Sequence, residues 1–235
     1  VRNLVKYILH EYIRSNRYFP LLVTFIMMIF ISYSYKPNPI IDSYSFTALS
    51  LFFISALLCV SVFSTESSVQ KNVTLIHTGS APKYYLSKLL SIWLICFILA
   101  LFTFFYPIIF GMFGESITLL VGVFALINHL LLATLGICVG SFFTREFMKN
   151  SINAIGELWF VLLLSIPYDS LVERLPVLVR PIVWILPPSI HTITILESWN
   201  GTTVDFHFLF PFIWIIMYCS LLLFLFFTLL KKIER

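Results

Sequence analysis

Apolar residues in this chain gather into six long runs separated by polar links. The runs lie at about Phe19–Tyr35, Phe46–Phe63, Leu89–Phe110, Ile117–Phe143, Ser151–Pro167 and Phe208–Leu230. Most approach the roughly 20 residues that a hydrocarbon core demands of a spanning helix. The shorter first, second and fifth runs can lean on flanking Tyr, Trp, Lys and Arg at the interfaces. The pattern predicts an all-α membrane protein with six transmembrane helices.

A different periodicity precedes the first run. Val1, Leu4, Val5, Ile8, Leu9, Tyr12 and Ile13 recur at helical spacing, while Arg2, Asn3, Lys6, His10, Glu11 and Arg14 take the other face. Beside a membrane span this reads as an amphipathic helix lying in the interface, over residues 1–18. It serves either as a cationic anchor or as a helix that carries motion from a partner into the first span. Residues 19–235 then form one membrane domain. No cleavable signal peptide is expected, because no small-residue cleavage site follows Phe19–Tyr35.

Segment 176–196, PVLVRPIVWILPPSIHTITIL, is apolar enough to suggest a seventh span. Pro176, Pro181, Pro187 and Pro188 interrupt helical hydrogen bonding several times, and Arg180 would sit in hydrocarbon without an evident partner. A broken helix that dips into the outer leaflet and returns fits better.

Composition agrees with this division. Apolar residues make up 60% and charged ones 11%, and Phe occurs 25 times; ordinary soluble domains carry about 25% charged residues. The net charge of +4 does not point to nucleic acid, because the charges are sorted by loop. Arg2, Lys6, Arg14, Arg17, Lys71, Lys83, Lys88, Arg145, Lys149, Lys231, Lys232 and Arg235 lie in alternate links and at the ends. The opposite links keep only Lys36, Arg174 and Arg180, and hold Asp42, Glu115, Asp169, Glu173, Glu197 and Asp205. The positive-inside bias puts both termini in the cytoplasm. Cys59, Cys96, Cys138 and Cys219 fall singly within runs and read as packing residues.

Catalytic signatures are missing. His10-Glu11-Tyr12-Ile13-Arg14 begins like a zinc-protease motif, but Arg14 stands where the second His is needed. There is no Gly-x-Ser-x-Gly elbow and no P-loop. The chain is therefore not expected to be an enzyme, and no cofactor or metal site is expected on it. If ATP drives it, another chain binds the nucleotide.

Polar groups at membrane depth are few: Asn128 and His129 in the fourth run, and Asn153 and Glu157 in the fifth, with Asn150 a turn earlier. Such groups face protein or water and often mark a pathway, so these four are candidates to line a translocation route. Glu157 either lines an inner vestibule or pairs with Arg145 or Lys149. His129 is either a hydrogen-bonded packing residue or a proton carrier. Gly136-x-x-x-Gly140, with Ala133 a turn earlier, permits close helix approach, either between copies or inside one chain. Asn72-Val73-Thr74 and Asn200-Gly201-Thr202 match the glycosylation acceptor pattern, the former on the basic side.

The longest polar segment on the basic side is Ser64–Lys88, STESSVQKNVTLIHTGSAPKYYLSK. Glu66 closes the second run, Val69, Val73 and Ile76 mark one face of a short helix, and Gly79-Ser80-Ala81-Pro82 breaks it before Tyr84-Tyr85-Leu86-Ser87-Lys88. This segment resembles the permeases of the type-2 ABC transporter family. There an acidic residue, a short coupling helix, a small-residue/Pro turn and a Lys at the start of the third span recur in this order. Leu175-Pro176-Val177-Leu178-Val179-Arg180 and Trp184-Ile185-Leu186-Pro187-Pro188 resemble that family's link after the fifth span. With the interfacial first helix, the resemblance covers nearly the whole chain. Ala81 before the usual Pro, and the doubling at Pro188, are departures.

The resemblance implies a dimeric membrane unit, of two copies or of this chain with a sibling permease, docked on two cytoplasmic ATPase subunits that hold ATP and Mg. Glu66, Val69, Gln70, Val73, Ile76, Gly79, Pro82 and Lys88 would belong to the coupling element, with Arg145 and Lys149 as a second contact. Segment 168–196 would cap the pathway outside. The expected function is export of a hydrophobic or amphipathic substrate, a bacteriocin-like or toxin-like peptide, with membrane lipids around it. Export of a lipid or polysaccharide, a non-exporting peptide sensor or immunity subunit, and an ATP-independent channel are the alternatives.

Overall fold

The computed structural model describes residues 1–178 and 180–233, so Val179, Glu234 and Arg235 lie outside the described residues, as do the side chains of Asp169, Pro181, Ile182 and Ile233. Among the described residues every regular element is helical, apart from one isolated bridge between Asn38 and Phe113. In chain order these are α1 (Arg2–Arg14), α2 (Tyr18–Ser32), α3 (Ile40–Phe63), α4 (Ser68–Thr78), α5 (Ala81–Ile109), α6 (Leu119–Ser141), α7 (Ser151–Leu164), α8 (Tyr168–Arg174), α9 (Arg180–Val183), α10 (Ser189–Glu197) and α11 (Phe206–Ile233).

Four of them, α3, α5, α6 and α11, are long and apolar enough to cross a membrane. A fifth arises if α1 and α2, bent by 81° at their junction, count as one broken span. At 1.5 Å per residue the 14 residues of α7 reach only about 21 Å, short of a hydrocarbon core of about 30 Å. The chain is thus a membrane-embedded, multi-pass helical protein.

Polar residues near helix starts hide the true boundaries from hydropathy. The second run reads as beginning at Phe46, but α3 starts at Ile40 behind Pro39, carrying Asp42, Ser43 and Ser45 in its first turns. The third run reads as beginning at Leu89, but α5 starts at Ala81, with Pro82 in the first turn, where its missing N–H costs nothing. Hydropathy registers where lipid begins; caps and proline register where the helix begins.

At the centre, α3 packs along α6, and 72% of its apolar window is buried against 22% for α11 at the periphery. Two glycines permit this approach. A Cβ at Gly136 would stand 2.0 Å from Ser55 Oγ and 2.3 Å from the Phe52 carbonyl, and one at Gly140 would stand 2.5 Å from the Ala56 carbonyl. The Gly136-x-x-x-Gly140 seam is therefore used inside the chain, against α3. One apolar cluster joins α1, α2, α3, α5, α6 and α11; a second, around Phe52, Leu132, Leu135 and Leu158, joins α3, α6, α7, α10 and α11.

The described residues of segment 168–196 form no long helix. Among the described residues α8, α9 and α10 have seven, four and nine residues, and breaks fall at Pro176 and at Pro187-Pro188. Arg180 Nε donates to the Leu175 carbonyl at 3.1 Å, closing the turn between α8 and α9. The Ser165 and Ser189 hydroxyls, 3.0 Å apart and buried, tie the end of α7 to the start of α10.

Candidate functional site

At one end of the bundle, α4 follows the last turn of α3, packs against the start of α5 and bonds to the side of α1. It forms because both ends are capped. The Ser67 hydroxyl accepts from the Gln70 N–H at 3.2 Å, and Gly79 closes the helix at φ 62°, a left-handed conformation that costs glycine least. Ser80 then caps α5 directly, so a two-residue corner joins the two helices.

No residue of α4 is fully buried. Leu75 packs toward the core, while Val69, Val73 and Ile76 stand 72%, 56% and 79% exposed. The inward side of the same helix is held by polar bonds. Gln70 Nε2 donates to the Tyr7 hydroxyl at 2.8 Å and to Glu11 Oε2 at 3.1 Å, linking α4 to α1. Lys71 forms an ion pair with Glu146, which also accepts from the Tyr85 hydroxyl at 2.9 Å. That pair ties α4 to the 142–150 link and to α5.

Beneath α4 lies a second pair. Lys88 Nζ sits 2.8 Å from Glu66 Oε2, and both side chains are almost wholly enclosed, at 2% and 4% exposure. Tyr84 donates to the same oxygen, and the ammonium lies over the Tyr84 and Phe63 rings at 4.8 and 5.1 Å. Charge, hydrogen bond and ring faces offset part of the lost hydration, while Glu66 Oε1 is buried without a hydrogen-bond partner. The Arg17 guanidinium donates through Nη1 to the Ser64 carbonyl at 2.6 Å, and the Tyr12 hydroxyl to Ser61 Oγ at 3.0 Å, fastening the α1–α2 junction to the end of α3.

The structure thus gathers Glu66, Gln70, Lys88 and the exposed Val69, Val73 and Ile76 at one end. Gly79 lies in the corner beside them and Pro82 in the first turn of α5, and Arg145 and Lys149 are exposed on the neighbouring link. Glu146, Lys71, Tyr84, Tyr85, Tyr7 and Glu11 complete the site, though the sequence marked none of them as a coupling residue. Glu146 had a signal: it is the lone acid among the basic residues of its link.

The four polar residues at membrane depth divide into two kinds. Asn128 and His129 are buried at 1% and 0% exposure. His129 Nδ1 lies 2.7 Å from the Ala125 carbonyl and Nε2 lies 2.9 Å from Thr47 Oγ1. A carbonyl only accepts, so in the neutral ring Nδ1 carries the proton and Nε2 accepts from Thr47. Both nitrogens are spent on packing partners. Asn153 and Glu157 stand on the exposed side of α7, and Glu157 belongs to neither ion pair among the described residues. Asn150 caps α7, its side chain accepting from the Ile152 N–H at 3.0 Å.

The opposite end opens into a cleft of ≈ 600 Å³ bordered by Asp42, Glu115, Glu197, Trp199 and Thr202. Lost hydration, and then the Asp42 charge, raise the Glu197 carboxyl above its ordinary value. The Asn200 side chain is occupied in a turn, accepting from the N–H groups of Thr202 and Thr203 at 3.1 and 3.3 Å. Among the described residues no three His, Cys, Asp or Glu side chains come together as a metal site. All four cysteines are free and buried.

No family model matches the chain, and no curated protein or solved structure matches it either.

Proposed function

We propose that this chain is the membrane subunit of a bacterial ABC exporter, driven by ATP hydrolysis on a separate cytoplasmic ATPase. Six spans carry it, with α2 and α7 as short spans, both termini in the cytoplasm, and the α8–α10 segment re-entering from outside. Two such subunits, identical or related, enclose the route. The cargo is a hydrophobic or amphipathic peptide of the bacteriocin or toxin kind.

The observation that carries this reading is the asymmetry of α4. Three apolar side chains face solution on a helix whose inner side is bolted to the bundle by Gln70 and Lys71. An apolar row held rigidly in water is a docking surface. It also lies on the side where basic residues collect, which the charge rule assigns to the cytoplasm.

The test is to place Asp at Val69, Val73 and Ile76 together. These side chains bear on no core, so insertion and thermal stability should match the parent chain. Peptide export from vesicles containing the ATPase should fall at least tenfold while ATP hydrolysis persists. Unchanged export would remove α4 as the point of energy entry.

A further inference from the structure

α1 presents four distinct rows. Ile8 and Tyr12 are buried in the bundle, and Tyr7 and Glu11 are bound by Gln70 of α4. Val5, Leu9 and Ile13, spaced four apart, form the flank opposite the one that α4 holds, and Ile13 is 60% exposed. Between the two flanks, pointing away from the bundle, run Arg2, Lys6 and His10, also four apart and all exposed. The apolar row and the basic row adjoin along one open face of the helix.

Orientation gives these rows meaning. α1 turns 81° away from α2, so if α2 spans, α1 lies close to the plane of the bilayer. The flank that meets α4 points out of the membrane, since α4 caps the bundle end. The Val5–Leu9–Ile13 flank therefore points into the acyl region, and the Arg2–Lys6–His10 row sits at the depth of the phosphates. An amphipathic helix whose basic face borders its apolar face in this way binds negatively charged lipid by burial and charge together.

We propose that the Arg2–Lys6–His10 row, with the Val5–Leu9–Ile13 edge, is a binding site for the phosphodiester headgroup of an anionic phospholipid in the cytoplasmic leaflet. The proposal rests on the topology above but not on ATP coupling or on the cargo. Through the Gln70 bonds to Tyr7 and Glu11, an occupied site would also steady the seat of α4.

The intact chain, purified in mild detergent, is offered equal amounts of phosphatidylglycerol and phosphatidylcholine, and the lipid retained is read by mass spectrometry. The wild-type chain should retain phosphatidylglycerol preferentially. Arg2→Gln and Lys6→Gln should each cut that preference roughly fivefold, the equivalent of about 1 kcal/mol per basic residue near an anionic surface. Lys6→Glu should cut it further, and Leu9→Asn/Ile13→Asn should reduce retention of both lipids. All four side chains face outward, and an unchanged melting temperature verifies the fold of each variant. Equal retention of the two lipids by the wild type, or an unaltered preference in the doubly neutralised Arg2→Gln/Lys6→Gln chain, would overturn the proposal. So would inorganic phosphate held on the basic row of the Leu9→Asn/Ile13→Asn chain as tightly as on the parent, since the ligand would then be a soluble anion. ATPase coupling is measured separately through the α4 triple variant, so either proposal can fail without the other.

Discussion

Glu66 and Lys88 show how a charge pair survives at the edge of a bilayer. Each is nearly sealed from water, so each depends on the other and on the Tyr84 hydroxyl. Removing one member strands a buried charge, which typically costs about 3–5 kcal/mol, whereas replacing both with neutral groups of similar volume is often close to harmless. Lys88→Met should therefore lower the unfolding temperature sharply in detergent, and Glu66→Gln/Lys88→Met should recover most of the loss. If the double variant is no more stable than Lys88→Met alone, the two groups act independently. Both residues were visible in the sequence, Glu66 as the acid that closes the second apolar run and Lys88 as the Lys at the start of the third. Their pairing was not, because it depends on α4 and its corner folding back over the tip of α3. The second pair was hidden for a related reason: Lys71 and Glu146 lie on links that only the packing of α5 and α6 brings together.

Hydropathy located the apolar stretches well but misplaced helix ends by six to eight residues at α3 and α5, where polar first turns belong to the helix. The small-residue seam of α6 was legible, though not its partner, since glycine spacing states that something approaches and not what. Its use within the chain gives a sharp contrast. Gly136→Ala and Gly140→Ala press a methyl group against backbone atoms of α3, which cannot swing aside as a flexible side chain would. Each should destabilise by about 1–3 kcal/mol, read as a lower melting temperature in detergent. Gly156 in α7 has nothing within 4 Å of where a Cβ would stand, so Gly156→Ala should be neutral or gain up to about 1 kcal/mol from helix propensity. Equal losses at all three positions would mean that the α3–α6 contact is looser than described.

For the molecule as a whole, the two ends differ in character: α4 and its ion pairs at one, an acidic cleft at the other. Loop charge alone indicated this polarity, because Lys and Arg collect in alternate links. The four native thiols are buried, so introduced cysteines can report it with little background. With a membrane-impermeant maleimide on intact cells, Thr202→Cys should be labelled, and Val73→Cys only after permeabilisation. Labelling of Val73→Cys on intact cells would invert the orientation. The short apolar helices α2 and α7 were the least legible part, since their apolar runs continue past the helix ends into turns at Tyr33 and Ser165. The corner at Gly79 and Ser80 has a mechanical consequence. Two residues make no slack, so a push on α4 is passed on as torque at the foot of α5. With 29 residues, α5 is a lever of about 43 Å. Rocking it by about 5° would carry its far tip by roughly 4 Å, which in the proposed exporter would let an event at one end of the bundle reshape the other.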